Sequence, residues 1–409
     1  MITGSLLRDA LISGANHVAV HRHELNKINV FPVPDGDTGA NMSVTLGAAR
    51  AQLLTLPDDC HVSEAAAAAA DTMLRASRGN SGAILTLLLR GFARSLKHLE
   101  TADTKALSEA LQEAVAMAYA AVRRPTEGTM LTVARESSRR MKNYLLQGEV
   151  PLSQAWELLC SAARQSLSRT PLLEVLEEEG VIDAGGLGLC YLFEGMGSVF
   201  AGKGIVPAPE RMVEDSAFVF MEKNLPDVGR EAVLGYKISF DMAPDSISES
   251  ELHAALDGLV ESLVAVATRA SLHARAFTNH PMETLAAVLN AGTLLLYRAE
   301  AHSACNKVTF PAPEERLPAN VPGNVSLPCP YCTEFTILKD AHSPALGTLM
   351  TDFLDAMGES VVVIEGEEVL KCHVHTAQPQ ELFSLKLPSG YVDQVKIEHM
   401  AWQQGSVRG

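Results

Sequence analysis

The sequence lacks long apolar runs and an excess of positive charge, and its number of cysteines is odd, so they cannot all pair with one another. No run of 18 or more apolar residues occurs in its 409 residues, so we predict no transmembrane helix. Polar side chains interrupt the first twenty residues where a secretory signal needs an unbroken apolar core, and we expect no export. With 33 Lys and Arg against 49 Asp and Glu, the net charge is −16, which argues against nucleic acid or an anionic membrane surface as a general partner.

What is present is typical of a folded, multidomain protein. Hydrophobic residues make up 47% and charged residues 20%, enough for real cores and against disorder as the dominant state. The length predicts two or three domains. Seven cysteines spread over the chain suit a reducing compartment better than a disulfide framework, so we expect a cytoplasmic protein.

The first 200 residues carry helical periodicity with almost no strand signal. Gly, Pro, Asp and Asn separate the periodic segments, as expected for loops between helices. We therefore predict an all-α domain over residues 1–203. Its helices are expected at about 2–22, 41–54, 63–77, 81–97, 106–122, 128–145, 153–168 and 184–201.

After Gly204 the pattern changes to short strands and helices. Residues 204–230 contain three prolines and are predicted to be a linker, as is the Pro-rich segment 310–328. Strand-like runs occur at 234–242 and 360–376. Helical patches are expected at 249–260, 281–291 and 344–356.

The two segments 231–309 and 329–409 are similar to each other. The segment Gly235–Phe240 aligns with Pro330–Phe335 at an offset of 95 residues, and Leu272 aligns with Leu370 at an offset of 98. The second offset continues over some 40 residues, which predicts an internal repeat of two related α/β domains.

The densest chemistry lies in the run NVFPVPDGDTGANM at 29–42. Asp35 and Asp37 are two residues apart in a predicted loop, and Gly36 and Gly39 permit sharp turns there. Both carboxylates can therefore converge on one hard cation such as Mg²⁺. The alternative is an Asx turn and helix N-cap without a metal.

Three further glycine-bearing segments each lie at the start of a predicted helix, where backbone N–H groups can bind phosphate. They are RGNSG at 78–82, EGTM at 127–130 and DAGGLG at 183–188. Each signal is weak alone. Together with the Asp loop they indicate a Mg–nucleotide pocket, although the sequence contains no P-loop motif.

Residues 1–201 resemble the ATP-binding domain shared by the L-subunit of dihydroxyacetone kinase and the A subunit of bacterial fatty acid kinase. NVFPVPDGDTGANM, RGNSGAI, EGTMLTVARE and VIDAGG occur in the order expected for the second protein. In that family the domain is an eight-helix antiparallel barrel that binds ATP and two Mg²⁺ at one end. The resemblance therefore implies a multidomain α plus α/β protein, with this barrel followed by the two related α/β domains.

The resemblance also implies roles for single residues. Asp35 and Asp37 would be the catalytic, Mg²⁺-holding residues, and Asn29 is the nearest counterpart of a third aspartate found in dihydroxyacetone kinase. The nucleotide-binding set that the resemblance implies is Asn29, Thr38, Gly39, Asn41, Met42, Gly79, Asn80, Ser81, Gly82, Gly128, Thr129, Met130, Asp183 and Gly185.

A histidine base near the Asp loop would matter only for some phosphoryl acceptors. A carboxylate acceptor has no proton to lose near neutral pH, whereas a hydroxyl acceptor calls for a general base. His21 and His23 lie just upstream of the loop, and we favour reading both as exposed helix histidines.

A second constellation combines Cys329 and Cys332 with His373 and His375. Residues i and i+2 of a strand share a face, so both imidazoles can point at one ion. Cysteine sulfur and imidazole nitrogen suit Zn²⁺. The alternative is a free cysteine beside two ordinary strand histidines.

Residues 329–402 resemble the middle domain of the fatty acid kinase A subunit through YCTEF, ESVVVI, KCHVHT and VKIEHM. In that domain one Cys and two His, matching Cys332, His373 and His375, bind one zinc ion. Cys329 lies outside the family pattern and is either a fourth ligand or a bystander, while Cys372 is expected in the core.

The first copy of the repeat lacks these ligand types. It has Lys237, Arg275 and Phe277 at the corresponding positions, so we predict a degenerate copy without metal.

Three functions follow from these patterns. The first is an ATP-dependent kinase subunit that phosphorylates a fatty acid presented by a carrier or substrate-binding protein. The second is a dihydroxyacetone-type (glycerone) kinase subunit with a separate substrate-binding subunit. The third is a non-catalytic ATP-binding regulator or scaffold. The intact Asp loop argues against the third, and the zinc domain argues against the second.

Overall fold

The computed structural model describes residues 1–31, 34, 36–122, 124–209, 234–244, 246–267, 271–303, 328–339, 346–383, 387–388 and 390–401. The chain forms two compact units, a helical unit and a sheet unit. Most of the predicted linker 204–230 and nearly all of the segment 310–328 lie outside the described residues, as does Asp35. None of the described helices has the length and hydropathy needed to cross a bilayer.

The helical unit contains a helix at each of the eight predicted places. The predicted first helix is split at His21, because α1 ends at Val20 and a short helix follows it. The helices are α1 (Gly4–Val20), α2 (Arg22–Lys27), α3 (Thr38–Leu53), α4 (Val62–Ala76), α5 (Gly79–Ser95), α6 (Thr104–Ala121), α7 (Met130–Leu145), α8 (Leu152–Leu167), α9 (Glu174–Glu178) and α10 (Ala184–Phe200).

The eight long helices contact one another in chain order. Each packs against the next long helix, and α10 packs back against α1, so the contacts close a ring. The interior is apolar and includes a cavity of about 60 Å³ beside Leu11, Phe92 and Trp156. Trp156 is 1% exposed, and its indole N–H donates to the Phe193 carbonyl at 2.8 Å.

The sheet unit contains eight strands and three helices among the described residues. These are β1 (Leu234–Met242), α11 (Glu249–Ala255), β2 (Glu261–Ala267), β3 (Leu272–Thr278), α12 (Pro281–Ala291), β4 (Leu294–Ser303), β5 (Tyr331–Leu338), α13 (Leu346–Met357), β6 (Gly358–Glu365), β7 (Val369–Thr376) and β8 (Tyr391–His399). One antiparallel sheet holds all eight strands in the order β2-β3-β1-β4-β8-β5-β7-β6. Apolar side chains of one face, including Phe240 and Val374, form a core with the helices.

The strand pairing of the first half repeats in the second half. Tyr236 lies opposite Thr278, and Tyr331 lies opposite Thr376, so these pairs are related by the offsets of 95 and 98 found in the sequence. An irregularity in the register of β2 and β3 between Glu261 and Val264 also recurs 98 residues later in β6 and β7. Topology and register therefore share one internal symmetry.

The two halves meet where β4 pairs with β8. Arg298 lies directly opposite Lys396, its own counterpart 98 residues later, so an approximate twofold axis passes between them. Like charges directly opposite each other repel. Lys396 is compensated by Glu398, whose carboxylate lies 2.6 Å from the Lys396 ammonium.

Candidate nucleotide and metal sites

The start of α3 carries the described part of the Asp loop. Gly36 has φ +67°, a left-handed conformation that favours glycine, and Asp37 precedes the first residue of the helix. The Asp37 carboxylate does not cap α3. Instead Asn26 and Asn29, from the preceding segment, accept hydrogen bonds from backbone N–H groups in the first turn.

Asn29, which the family resemblance implies as a metal ligand, also binds the first residue of α3. Its side-chain oxygen accepts from the Thr38 N–H at 2.8 Å, while that of Asn26 accepts from the Ala40 N–H at 3.0 Å. A carbonyl oxygen has a second lone pair, which is what Asn29 could offer a cation.

The start of α5 lies against α3. Gly79 begins α5 with φ +56°, and the space beside its Cα is filled by the Asn41 side chain. A Cβ at Gly82 would lie only 2.5 Å from Thr45 Oγ1. Asn80 and Ser81 stand half-buried between the two glycines. At both positions a Cβ would therefore meet a side chain of α3 at the present separation of the two helix starts.

The starts of α7 and α10 are joined by Asp183. This buried carboxylate accepts from the Gly186 N–H at 2.6 Å and from the Met130 N–H. Burial raises the pKa of Asp183 to about 6, against the opposing effect of these two hydrogen bonds. A Cβ at Gly185 would lie 3.1 Å from Met130 Cε, so the two helix starts are also in close contact.

A contact between Gly188 and Met42 connects the two pairs of helices. A Cβ at Gly188 would lie 2.5 Å from the sulfur of the fully buried Met42, so α10 packs tightly on α3 near both starts. The predicted nucleotide residues on α3, α5, α7 and α10 are therefore gathered at one end of the helical unit. The N-termini of four helices concentrate positive dipole ends there.

A cleft of about 320 Å³ opens beside Gly128, which has φ +82°. Its wall includes Glu127, Thr132 and Arg135. Glu127 accepts from Arg135 at 2.5 Å and from the Thr132 hydroxyl at 2.6 Å. The Thr129 hydroxyl is turned away to the Thr126 carbonyl at 2.7 Å.

The polar wall of this cleft was missed by sequence reasoning. Thr132 and Arg135 fall within the EGTMLTVARE segment, one helical turn apart, so helical spacing from Gly128 was a usable signal. Arg169, which pairs with Glu136, comes from beyond α8 and carried no such signal.

The histidines upstream of the loop differ from each other. His23 is exposed, as predicted. His21 is half-buried and stacks on the Tyr191 ring at 3.9 Å between centroids, with its Nδ1 3.0 Å from Glu24 Oε2. The Tyr191 hydroxyl donates to the same carboxylate at 2.8 Å, which ties α2 to α10.

In the sheet unit, Cys332, His373 and His375 lie on the face opposite the apolar core. Cys332 on β5 is directly opposite His375 on β7, and one ligand atom from each of the three lies within 4.8 Å of the others. Both histidines are buried. Burial lowers the pKa of His375 to about 3, with a smaller contribution from His373, so its imidazole is neutral as a metal ligand must be.

The polar atoms of this group fit a metal ion. His373 Nε2 is buried and has no hydrogen-bond partner among the residues described, which is costly unless something binds it. The other ring nitrogen, Nδ1, lies 3.5 Å from Glu334 Oε1 and 3.9 Å from Cys332 Sγ, so it faces both the carboxylate and the thiol. Sulfur and nitrogen donors suit zinc.

The group of candidate metal ligands is limited to Cys332, His373 and His375 among the described residues. Cys329 is not among the mutually close ligand atoms. Cys372 lies in the core, as predicted, and burial raises the pKa of its thiol. In the first half, Lys237 lies opposite Phe277 in the same register, so two of the three ligand positions there hold a lysine and a phenylalanine.

Two models of known protein families match this chain. The family model of the DAK2 domain matches residues 32–198, and the model of the middle domain of fatty acid kinase A-subunit-like proteins matches residues 329–407. The chain is thus a kinase-family protein. It belongs to the family that contains the A subunit of fatty acid kinase together with the L-subunit of dihydroxyacetone kinase, which confirms the resemblance found in the sequence.

Individual relatives are longer than this chain. Protein YloV of Bacillus subtilis (strain 168) is 28% identical over 381 residues, which covers 90% of this chain and 65% of YloV. A protein of Staphylococcus epidermidis (strain ATCC 12228) is 31% identical over 307 residues, covering 73% of this chain and 55% of that protein. The chain therefore spans between about half and two thirds of the length of these relatives. Among solved structures, the dihydroxyacetone kinase from C. freundii in complex with AMP-PNP and Mg²⁺ matches 47% of this chain and 33% of its own, with 17% identity and a TM-score of 0.38.

Proposed function

We propose that this chain is the ATP-binding subunit of a kinase that transfers the γ-phosphoryl group of ATP to a fatty acid carboxylate presented by a carrier protein. The observation that carries the proposal is the convergence of four glycine-bearing helix starts beside Asp37. Asn26, Asn29 and Asp183 already accept from some N–H groups of these first turns. The remaining N–H groups, approached closely because glycine has no side chain, would form the site for phosphate groups.

Different helix starts would bind different parts of the ATP molecule. The starts of α3 and α5, with Thr38, Asn41 and Ser81, would hold the phosphates. The start of α7 and its polar cleft would receive the adenosine end. Asp35 and Asp37 would hold two Mg²⁺, with Asn29 as a further oxygen ligand, and the metal would neutralise charge that develops on the phosphates.

The transfer step needs no proton acceptor. A carboxylate oxygen of the fatty acid attacks the γ-phosphorus in line, the bond from that phosphorus to the bridging oxygen breaks, and ADP leaves with the electron pair. The products are an acyl phosphate and ADP. The match of residues 329–407 to the fatty acid kinase middle domain supports a carboxylate acceptor over a hydroxyl acceptor such as dihydroxyacetone.

The closed ring of long helices supports an eight-helix barrel over residues 1–203. In the sheet unit, one zinc ion would be held by Cys332, His373 and His375, with the first repeat free of metal. We further propose a cytoplasmic protein whose partner carries the acyl group.

The test is chemical trapping of the product. The full chain is incubated with Mg-ATP, a fatty-acid-loaded carrier protein and hydroxylamine, which converts an acyl phosphate into a stable hydroxamate. The expected result is hydroxamate that requires ATP, the carrier and an intact Asp37, with Asp37→Asn as the matched inactive variant. A second assay replaces the acyl carrier by dihydroxyacetone and a dihydroxyacetone-binding subunit. ATP consumption in this second assay, with no hydroxamate formed in the trapping assay, would refute the fatty acid as the acceptor.

A further inference from the structure

Thr45 lies at the contact between the two helix starts that are assigned to the phosphates. It is 0% exposed and belongs to the second turn of α3. Its hydroxyl donates to the Asn41 carbonyl at 2.7 Å and accepts from the Arg78 N–H at 3.1 Å. One side chain thus uses both its donor and its acceptor to join the first turn of α3 to the residue that precedes α5.

The Thr45 hydroxyl supplies one hydrogen bond to the start of α5 from outside that helix. Arg78 is the N-cap residue of α5, is buried, and makes no side-chain capping bond to the helix. Its N–H would lose this partner in a buried position if the Thr45 hydroxyl were removed, and such a loss is unfavourable. Thr45 of α3 therefore satisfies the N–H group of Arg78, the N-cap residue of α5.

The packing around Thr45 fixes the distance between the helices. Gly82 faces the Thr45 hydroxyl and Gly79 faces the Asn41 side chain, with no space for a Cβ at either glycine. The hydroxyl and the two glycines together determine how closely and at what rotation α5 approaches α3. Backbone N–H groups of both helices can converge on one ligand only within a narrow range of this geometry.

We propose that Thr45 is a positioning residue for the Mg-nucleotide, one that sets the relative placement of the two phosphate-binding helix starts without touching the nucleotide itself. The proposal rests on the proposed function, since it assumes that α3 and α5 bind phosphate. Thr45 is outside every set of residues assigned to the site from the sequence.

The chain offers a matched control in Thr86. This threonine is also 0% exposed, and its hydroxyl donates to the Gly82 carbonyl four residues back at 2.8 Å, as Thr45 does to Asn41. A longer contact of 3.4 Å joins the hydroxyl to the Met73 carbonyl on α4. Thr86→Val thus removes a buried intrahelical bond and leaves the link between α3 and α5 intact.

Calorimetric titration of Mg-AMP-PNP into the full chain tests the proposal. Thr45→Val should weaken binding about tenfold, with the stoichiometry unchanged. Thr45→Ser retains the hydroxyl and should bind within about twofold of the parent, as should Thr86→Val. If the valine methyl disturbs folding beside Gly82, Thr45→Ala supplies the same comparison.

The outcomes separate the two levels of the argument. An unchanged dissociation constant for Thr45→Val, or an equal loss in Thr86→Val, overturns the positioning role. A fall in stoichiometry at constant affinity overturns it too, because this is what partial unfolding produces. Absence of binding by the parent chain refutes the proposed function itself.

Discussion

Replacing Asp183 by Asn is expected to make the helical unit more stable at neutral pH and to remove part of its pH dependence. Asp183 is buried, and burial raises its carboxyl pKa from 3.8 to about 6. Between about pH 4 and pH 6 the folded state therefore holds a proton that the unfolded state has released. Because the unfolded state then binds fewer protons, the free energy of unfolding falls as the pH rises through this interval.

The change in the free energy of unfolding follows from the shift in the pKa of Asp183. About two pKa units correspond to about 3 kcal/mol of stability lost by the carboxylate between pH 4 and pH 7. Asn keeps one oxygen that can accept from the Gly186 N–H group, and it has no charge to bury. The stability of Asp183→Asn relative to the parent should therefore grow by about 3 kcal/mol from pH 4 to pH 7, most of it below pH 6.

Urea denaturation at a series of pH values measures this difference. Trp156 is buried in the helical unit and reports its unfolding, provided that the second tryptophan is removed by Trp402→Phe in both proteins. Other titrating groups are common to the two proteins and cancel in the difference. A difference that stays constant from pH 4 to pH 7 would refute the reasoning, because it would mean that the Asp183 carboxyl titrates alike in folded and unfolded chains.

Five further substitutions test the two sites and the packing at the start of α5. Asp35→Ala and Asp37→Ala should each abolish Mg-dependent nucleotide binding while far-UV circular dichroism stays unchanged, and retained binding in both would contradict the assignment of the metal ligands. His375→Ala or Cys332→Ala should lose zinc by elemental analysis and lower the melting temperature of the sheet unit, whereas two zinc ions per parent chain would contradict a single metal site. Gly79→Ala should destabilise the helical unit by about 1–2 kcal/mol, since φ is +56° and no space exists for a methyl group, and an unchanged urea midpoint would show that the loop adapts.

Local sequence patterns were sufficient for the positions of most elements. Strand β1 over Leu234–Met242 and helix α12 over Pro281–Ala291 have the predicted bounds, because alternating apolar residues mark the strand and a proline marks the first turn of the helix. The break after α1 was not predictable in this way. Neither glycine nor proline lies near His21, and the helical pattern continues through it into α2.

Contacts between distant segments were beyond the reach of these patterns. The HxH spacing predicted that His373 and His375 share a strand face, and the family resemblance implied Cys332 as the third ligand. The structure adds the register, in which Cys332 lies directly opposite His375. No local signal pointed to Asn29 as the cap of α3 or to the raised pKa of Asp183. The hydrogen bond of Asn29 and the burial of Asp183 both depend on packing between segments that are distant in the sequence.

The approximate twofold axis between Arg298 and Lys396 has a consequence for how the sheet unit can be divided. Each four-stranded half, separated from the other, would carry an unpaired strand, β4 or β8, at the position where the intact sheet has its central seam. Exposed strand edges of this kind pair with whatever complementary strand is available. The two halves therefore protect each other's edge, and a chain cut between them should reassemble from its fragments, since each fragment is the complement that the other lacks.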